Sequence, residues 1–296
     1  MIISRPAFSP EALRRRGCLA VILTILGVSS ASAQPVPVAD HHQHLFSSVV
    51  AEAEGVKPIT VDDLISLLDA AGIRRAAVLS VAYLLGDPAA ARADEYERVK
   101  AENDWTSEQV ARFPDRLVGF CSVNPLKEYA LDELSRCAKD PRLRRGLKLH
   151  FANAHMRTSI SAKIPYGAEQ ARIFLKELAP AAPDVPIQIA HLAGAGGYRD
   201  PLIDEALSVC ADAIGRGDPH TGNLYFDVTT VVLPSTSTEG LALIATRLWQ
   251  LGLRRILYGS DAASGGNLPP RDGWAAFRRL PLTEAEFTTI TSNLAP

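Results

Sequence analysis

Seven short apolar runs punctuate the chain, starting near residues 36, 75, 116, 145, 186, 224 and 255. Each is four to nine residues long and bounded by turn formers, which reads as buried strand. Between them lie segments with apolar residues at helical spacing: 61–71 after Thr60 and before Gly72, 91–113 ended by Pro114-Asp115, 131–138, 168–178, 200–214 and 241–251. Two short helical stretches follow the last strand. Strand and helix alternate almost throughout, which predicts an α/β fold with parallel strands. A (β/α)8 barrel needs eight strands and the pattern supplies seven. The interval between the fourth strand and Pro186 holds one helix, and a further β/α unit would need about 30 more residues. The stretch from Ala154 to Ile160 is a candidate stub of a fifth strand. The expected fold is therefore a TIM-like (β/α)8 barrel, incomplete, with one β/α unit missing or truncated after the fourth strand. The glycine run Gly194–Gly197 lacks dinucleotide-binding spacing.

The start of the chain reads differently. Arg14, Arg15 and Arg16 precede a ten-residue apolar core from Leu19 to Val28, and Ala31-Ser32-Ala33 fits a small-residue cleavage site. This is the pattern of a secretory signal peptide over 1–33. It predicts an exported protein, periplasmic or secreted, with no membrane attachment after cleavage. Residues 34–296 then form a single domain of barrel size. The formal net charge is −2, and the leader carries four arginines (5, 14, 15, 16) against Glu11, so the remainder is more acidic. Nothing in that balance points to nucleic acid. Cys121, Cys137 and Cys210 lack the spacing of a disulfide framework, and Cys121, within an apolar run, is expected to be a small core residue.

The chemistry concentrates at strand ends. Alternation along the first strand puts Asp40, His42 and His44 on one side and His41 and Gln43 on the other. Two imidazoles two residues apart on one face can grip one metal ion. A lone histidine after an apolar strand, such as His191, is ordinarily a satisfied core residue. A lone aspartate such as Asp261 is ordinarily a turn former. Together, His42, His44, His191 and Asp261 sit at the C-terminal ends of parallel strands, the active face of a barrel. Lys148 and His150 share a face of the fourth strand. Lys148 is a candidate for carboxylation between two metals or for holding a substrate anion, and His150 for a ligand or a substrate-facing partner. His155 is a further candidate ligand, and Arg157 a candidate carboxylate binder.

Asp40-x-His42-x-His44, Gly146-Leu147-Lys148-Leu149-His150, Ala190-His191-Leu192-Ala193-Gly194 and Tyr258-Gly259-Ser260-Asp261 occur in that order. With Pro114 to Phe120 they resemble the strand motifs of the amidohydrolase superfamily. The closest branch is the amidohydrolase-related group that includes aminocarboxymuconate semialdehyde decarboxylase-like enzymes. The resemblance spans nearly all of 34–296. It implies a distorted barrel with a divalent metal, most often Zn2+, with Mn2+ or Fe2+ as alternatives. It implies His42, His44, His191 and Asp261 as ligands, with His155 matching a fifth-strand histidine.

The expected function is metal-dependent hydrolysis of a small amide, lactone or ester, with Asp261 as general base. The alternatives are non-oxidative decarboxylation of a small carboxylic acid on the same site, and an inactive or truncated remnant. The expected partner is a small-molecule substrate. Oligomeric state has no signal in the sequence.

Overall fold

The structure, a computed structural model, describes residues 34–90, 92–151, 154, 167–194, 197–198, 202–262 and 266–296. The expected leader over 1–33, His155 and Arg157 lie outside the described residues. All seven expected strands form: β1 Ala39–Gln43, β2 Arg75–Leu79, β3 Leu117–Ser122, β4 Leu147–Lys148, β5 Ile187–Ile189, β6 Leu224–Asp227 and β7 Ile256–Leu257. The order β1-β2-β3-β4 makes one parallel sheet and β5-β6-β7 another. Backbone bonds close the seam between them. His41 N donates to Tyr258 O and Asp261 N to His42 O, both at 2.8 Å. The result is a curled parallel sheet, an incomplete barrel. Among the described residues no ladder joins β4 to β5. Burial follows from this: β1 and β7 are buried throughout, whereas β4 and β5, at the open side, are half-buried.

The helices are α1 Ser48–Glu54, α2 Val61–Ala71, α3 Glu95–Ala111, α4 Ala130–Cys137, α5 Ala168–Ile173, α6 Leu202–Gly215, α7 Thr238–Leu251, α8 Pro270–Phe277 and α9 Glu284–Ser292. A π-helical turn, Phe174–Leu178, continues α5. Local signals set the ends. At α2, the Asp63 carboxylate accepts from both Thr60 N and Thr60 Oγ1 at 2.8 Å, and Gly72 takes the left-handed φ of +72° that stops the helix. The apolar face of α2, Val61, Leu64 and Leu68, joins the core containing Val78, Phe226, Ile244, Leu248 and Ile256. Each fully buried leucine there stabilises the fold by roughly 1.5–3 kcal/mol. Pro35–Pro296 form one compact unit. Among the described residues no helix is long and apolar enough to cross a membrane.

Two sequence expectations are corrected. Cys121 is not a plain core residue: it is disulfide-bonded to Cys137, joining β3 to the end of α4. A separation of 16 residues with no further pattern gave no warning of it. Cys210 remains a buried thiol, pushed up to about 12 by burial. Asp40 and Gln43 do not lie on opposite sides. Gln43 Nε2 donates to Asp40 Oδ2 at 2.7 Å, because the pairing of β1 with β2 shifts register between these two residues.

Candidate metal centre

His42 lies in β1 and His44 one residue past its end. Lys148 ends β4, and His150 follows two residues on. His191 follows β5, Asp227 ends β6, and Asp261 follows β7. All thus gather at the C-terminal ends of the strands. Among the described residues, those with left-handed backbone other than glycine cluster here too: His191 (φ 53°), Leu192 (48°), Ala193 (65°), Thr230 (52°) and Asp261 (50°). This conformation costs roughly 1–3 kcal/mol per residue, so the surrounding bonds must hold it in place. Gly259 answers a different demand. A Cβ there would collide with Thr229 Oγ1 and stand 2.8 Å from His42 Cβ, so only glycine lets these strand ends close on His42.

The histidine tautomers follow from their partners. His42 Nδ1 donates to Asp227 Oδ2 at 3.0 Å, and His44 Nδ1 donates to Leu79 O at 2.6 Å. With both Nδ1 protons so placed, both Nε2 atoms present lone pairs. Those two atoms face each other at 3.2 Å. Asp261 Oδ1 is 3.8 Å from His44 Nε2, and one donor atom from each of His42, His44 and Asp261 falls within 4.8 Å of the others. Burial, then the charge of Lys148, pushes His42 down to about 4 and His44 down to about 3, which keeps both imidazoles neutral. Nitrogen donors ~2.0–2.1 Å from a zinc-type ion at a tetrahedral angle stand roughly 3.3 Å apart. The residues present therefore fit a divalent cation.

His191 stands beside this trio, its ring 4.8 Å from that of His42, and its Nδ1 faces Thr229 O at 3.1 Å. Lys148 Nζ lies 3.4 Å from His42 Nε2. Burial lowers the Lys148 amine from its ordinary value, against the attraction of Asp227 and Asp261. His150 stacks on Tyr83, rings 4.8 Å apart and 13° from parallel. Burial, then Lys148, pushes His150 down to about 4. Asn267 Nδ2 donates to both the carbonyl and Oδ2 of Asp261. His41 turns away: Nδ1 donates to Tyr258 O, and Nε2 accepts from Ala295 N.

Asp40 ties the seam behind the centre. Its carboxylate accepts from His42 N, Gln43 Nε2, Ser260 N and Ser260 Oγ, linking the first and last strand motifs. Burial pushes it up to about 6.

Asp227 and Gln188 are the residues that sequence reasoning missed. Asp227 is fully buried and accepts from His42 Nδ1, Gln188 Nε2, His191 N and Thr229 N at 2.8–3.1 Å. Burial alone would favour the neutral acid; His42 and His191 hold it below the usual carboxylate range. The usable signal was that Asp227 closes an apolar strand just as Asp261 does. Asp227→Asn would set an amide against at least one of four donors and disturb the His42 tautomer. Metal affinity should fall about 10–100-fold, as for other partners of ligating histidines. Competition with a chromogenic chelator measures it, and unchanged affinity would refute this orienting role.

No protein-family model matches the sequence, and no curated protein matches it. Solved structures do match the fold. One is a probable 2-pyrone-4,6-dicarboxylic acid hydrolase from Acinetobacter baumannii with citric acid bound, at 17% identity and TM-score 0.54, covering 86% of this chain and 96% of that one. Another is an amidohydrolase from Burkholderia multivorans, at 13% identity and TM-score 0.55, covering 87% and 96%. A third is a dihydroxybenzoic acid decarboxylase from Polaromonas with bound manganese and the inhibitor 2-nitroresorcinol, at 15% identity and TM-score 0.56, covering 86% and 94%. The likeness thus runs along nearly the whole barrel and takes in both hydrolases and decarboxylases. By its architecture the chain shares the fold of these hydrolases and decarboxylases, as an incomplete barrel.

Proposed function

We propose that the protein is a metal-dependent hydrolase of a small amide, lactone or ester. The observation that carries this is the pair of opposed imidazole Nε2 atoms, 3.2 Å apart and buried, with the Asp261 carboxylate beside them. Two neutral lone pairs at that distance repel unless a cation lies between them. His42, His44 and Asp261 would hold that ion, with His191 next to them. Zn2+, Mn2+ and Fe2+ all suit histidine and carboxylate donors. When bound, such an ion supplies a Lewis acid that polarises a carbonyl oxygen and makes water acidic near neutral pH.

The chain's own groups do the rest. The Asp261 carboxylate, steadied by Asn267, takes the proton of the attacking water and returns it to the leaving group. Lys148, half-buried beside His42, anchors the substrate oxygen or an anionic group. Tyr83 and His150 form a flat wall next to it. His155 is proposed as an additional ligand and Arg157 as a carboxylate binder. Action outside the cytoplasm is proposed from the leader-like pattern over 1–33.

The flat wall beside a lysine also favours a second reading: decarboxylation of an aromatic acid whose ring lies on Tyr83–His150 and whose carboxylate meets Lys148. Turnover in H2(18)O separates the two across a panel of lactones, small amides, esters and hydroxybenzoic acids. We expect one labelled oxygen in the new carboxylate and no CO2. Release of CO2 without label in the product would replace the hydrolase reading with the lyase.

A further inference from the structure

The Cys121–Cys137 disulfide lies at the weak edge of the barrel. β4 is two residues long and pairs with β3 through Cys121–Leu147 and Ser122–Lys148, while Cys121 N donates to Gly146 O at 3.0 Å. Among the described residues β4 has no second ladder partner. The apolar cluster beneath it is separate from the main core. Its buried members are Cys121, Cys137 and Leu143, with Leu147 packed against them. The bonded cysteines thus make up two of the three buried residues of this cluster. One residue beyond the Cys121–Leu147 pair, Lys148 reaches to within 3.4 Å of His42 Nε2. Asn103 also ties α4 to β3, donating to Ser122 O at 2.9 Å and to Glu133 Oε1 at 2.7 Å. Loss of the disulfide should therefore loosen β4 rather than unfold the chain.

We propose that Cys121 and Cys137 are positioning residues: their disulfide holds β3 and β4 in the register that delivers Lys148 to the centre, so the site is completed only when the chain folds under oxidising conditions. This rests on the metal reading of that centre. In forming the bond, the two thiols release two protons and pass two electrons to the disulfide of a thiol–disulfide oxidant, which leaves as a dithiol. Both sulfurs are buried in the folded chain, so exchange precedes the final packing.

The test compares the wild-type protein with Cys121→Ala/Cys137→Ala, Lys148→Met, the triple variant and Leu143→Ala. The readouts are thiol alkylation after denaturation, amide exchange at residues 143–150, and affinity for Zn2+ alone. Alkylation of the wild type should leave Cys121 and Cys137 unlabelled. The double cysteine variant should exchange faster at 143–150 and change Zn2+ affinity about tenfold. Lys148→Met should give the same change, and the triple variant no more, since two changes acting through one group do not add. Leu143→Ala, which thins the same cluster but keeps the disulfide, should leave Zn2+ affinity unaltered. Labelled Cys121 and Cys137, unchanged exchange at 143–150, or additive changes in affinity would each overturn the proposal. A wild type that binds no Zn2+ while the cysteine variant still exchanges faster would instead locate the failure in the metal reading.

Discussion

The double variant His42→Ala/His44→Ala should carry no metal, whereas the wild type should carry about one divalent ion per chain. The two Nε2 atoms provide the opposed pair of neutral donors, and Asp261 and the neighbouring His191 alone do not enclose an ion. The substitution should leave the fold standing. Asp227, which loses His42, keeps its bonds from Gln188, His191 and Thr229, so no buried carboxylate is stranded. Elemental mass spectrometry gives the stoichiometry. Thermal melting adds a second measure: a ligand that binds only the folded state raises the midpoint by mass action, so metal should shift the wild type and not the variant. A variant that keeps its metal would place the ion elsewhere. A folded wild type with none would favour the inactive remnant.

Asp261→Asn should cut turnover by about 10^2–10^4-fold, the usual contribution of a general base, while much of the metal stays bound. The change is nearly isosteric. Asn tolerates the left-handed backbone that Asp261 adopts at φ 50°, so the strand end should hold its course. Asn267 still finds an oxygen acceptor at the side chain. What disappears is the negative charge and the ability to take a proton. KM should move little in comparison with kcat. Unchanged turnover would remove Asp261 from the proton path. Equal loss of metal and activity would make it a ligand first.

Much of the architecture was legible because strands buried on both faces read as continuous apolar runs. All seven runs became strands, and among the described residues no further strand lies between β4 and β5, the interval the sequence marked as too short for a further β/α unit. Helices with clear ends, such as α2 between Thr60 and Gly72, appeared where their caps placed them. The seven-residue α1 was missed. It is too short to show a period, although Ser47 caps its start and Gly55 its end. The grouping of His42, His44 and Asp261 was legible through their shared position at strand ends. Asp227 carried the same signal and went unread, since nothing local says whether an aspartate after a strand turns a loop or orients a histidine.

What the sequence by itself determined is the alternation of strands and helices, and with it a parallel barrel whose strand ends carry histidine and aspartate. Both follow from local periodicity and from chain direction. Three features were decided only by tertiary structure. The register shift in β1 brings Asp40 and Gln43 together and ties them to Ser260, 217 residues from Gln43. The disulfide joins two cysteines whose spacing carries no motif. The tautomers of His42 and His44 are set by Asp227 and by the Leu79 carbonyl, one on β6 and one on β2. Each depends on which distant groups meet when the sheet curls, and a side chain's protonation and direction are properties of those neighbours rather than of its own position in the chain.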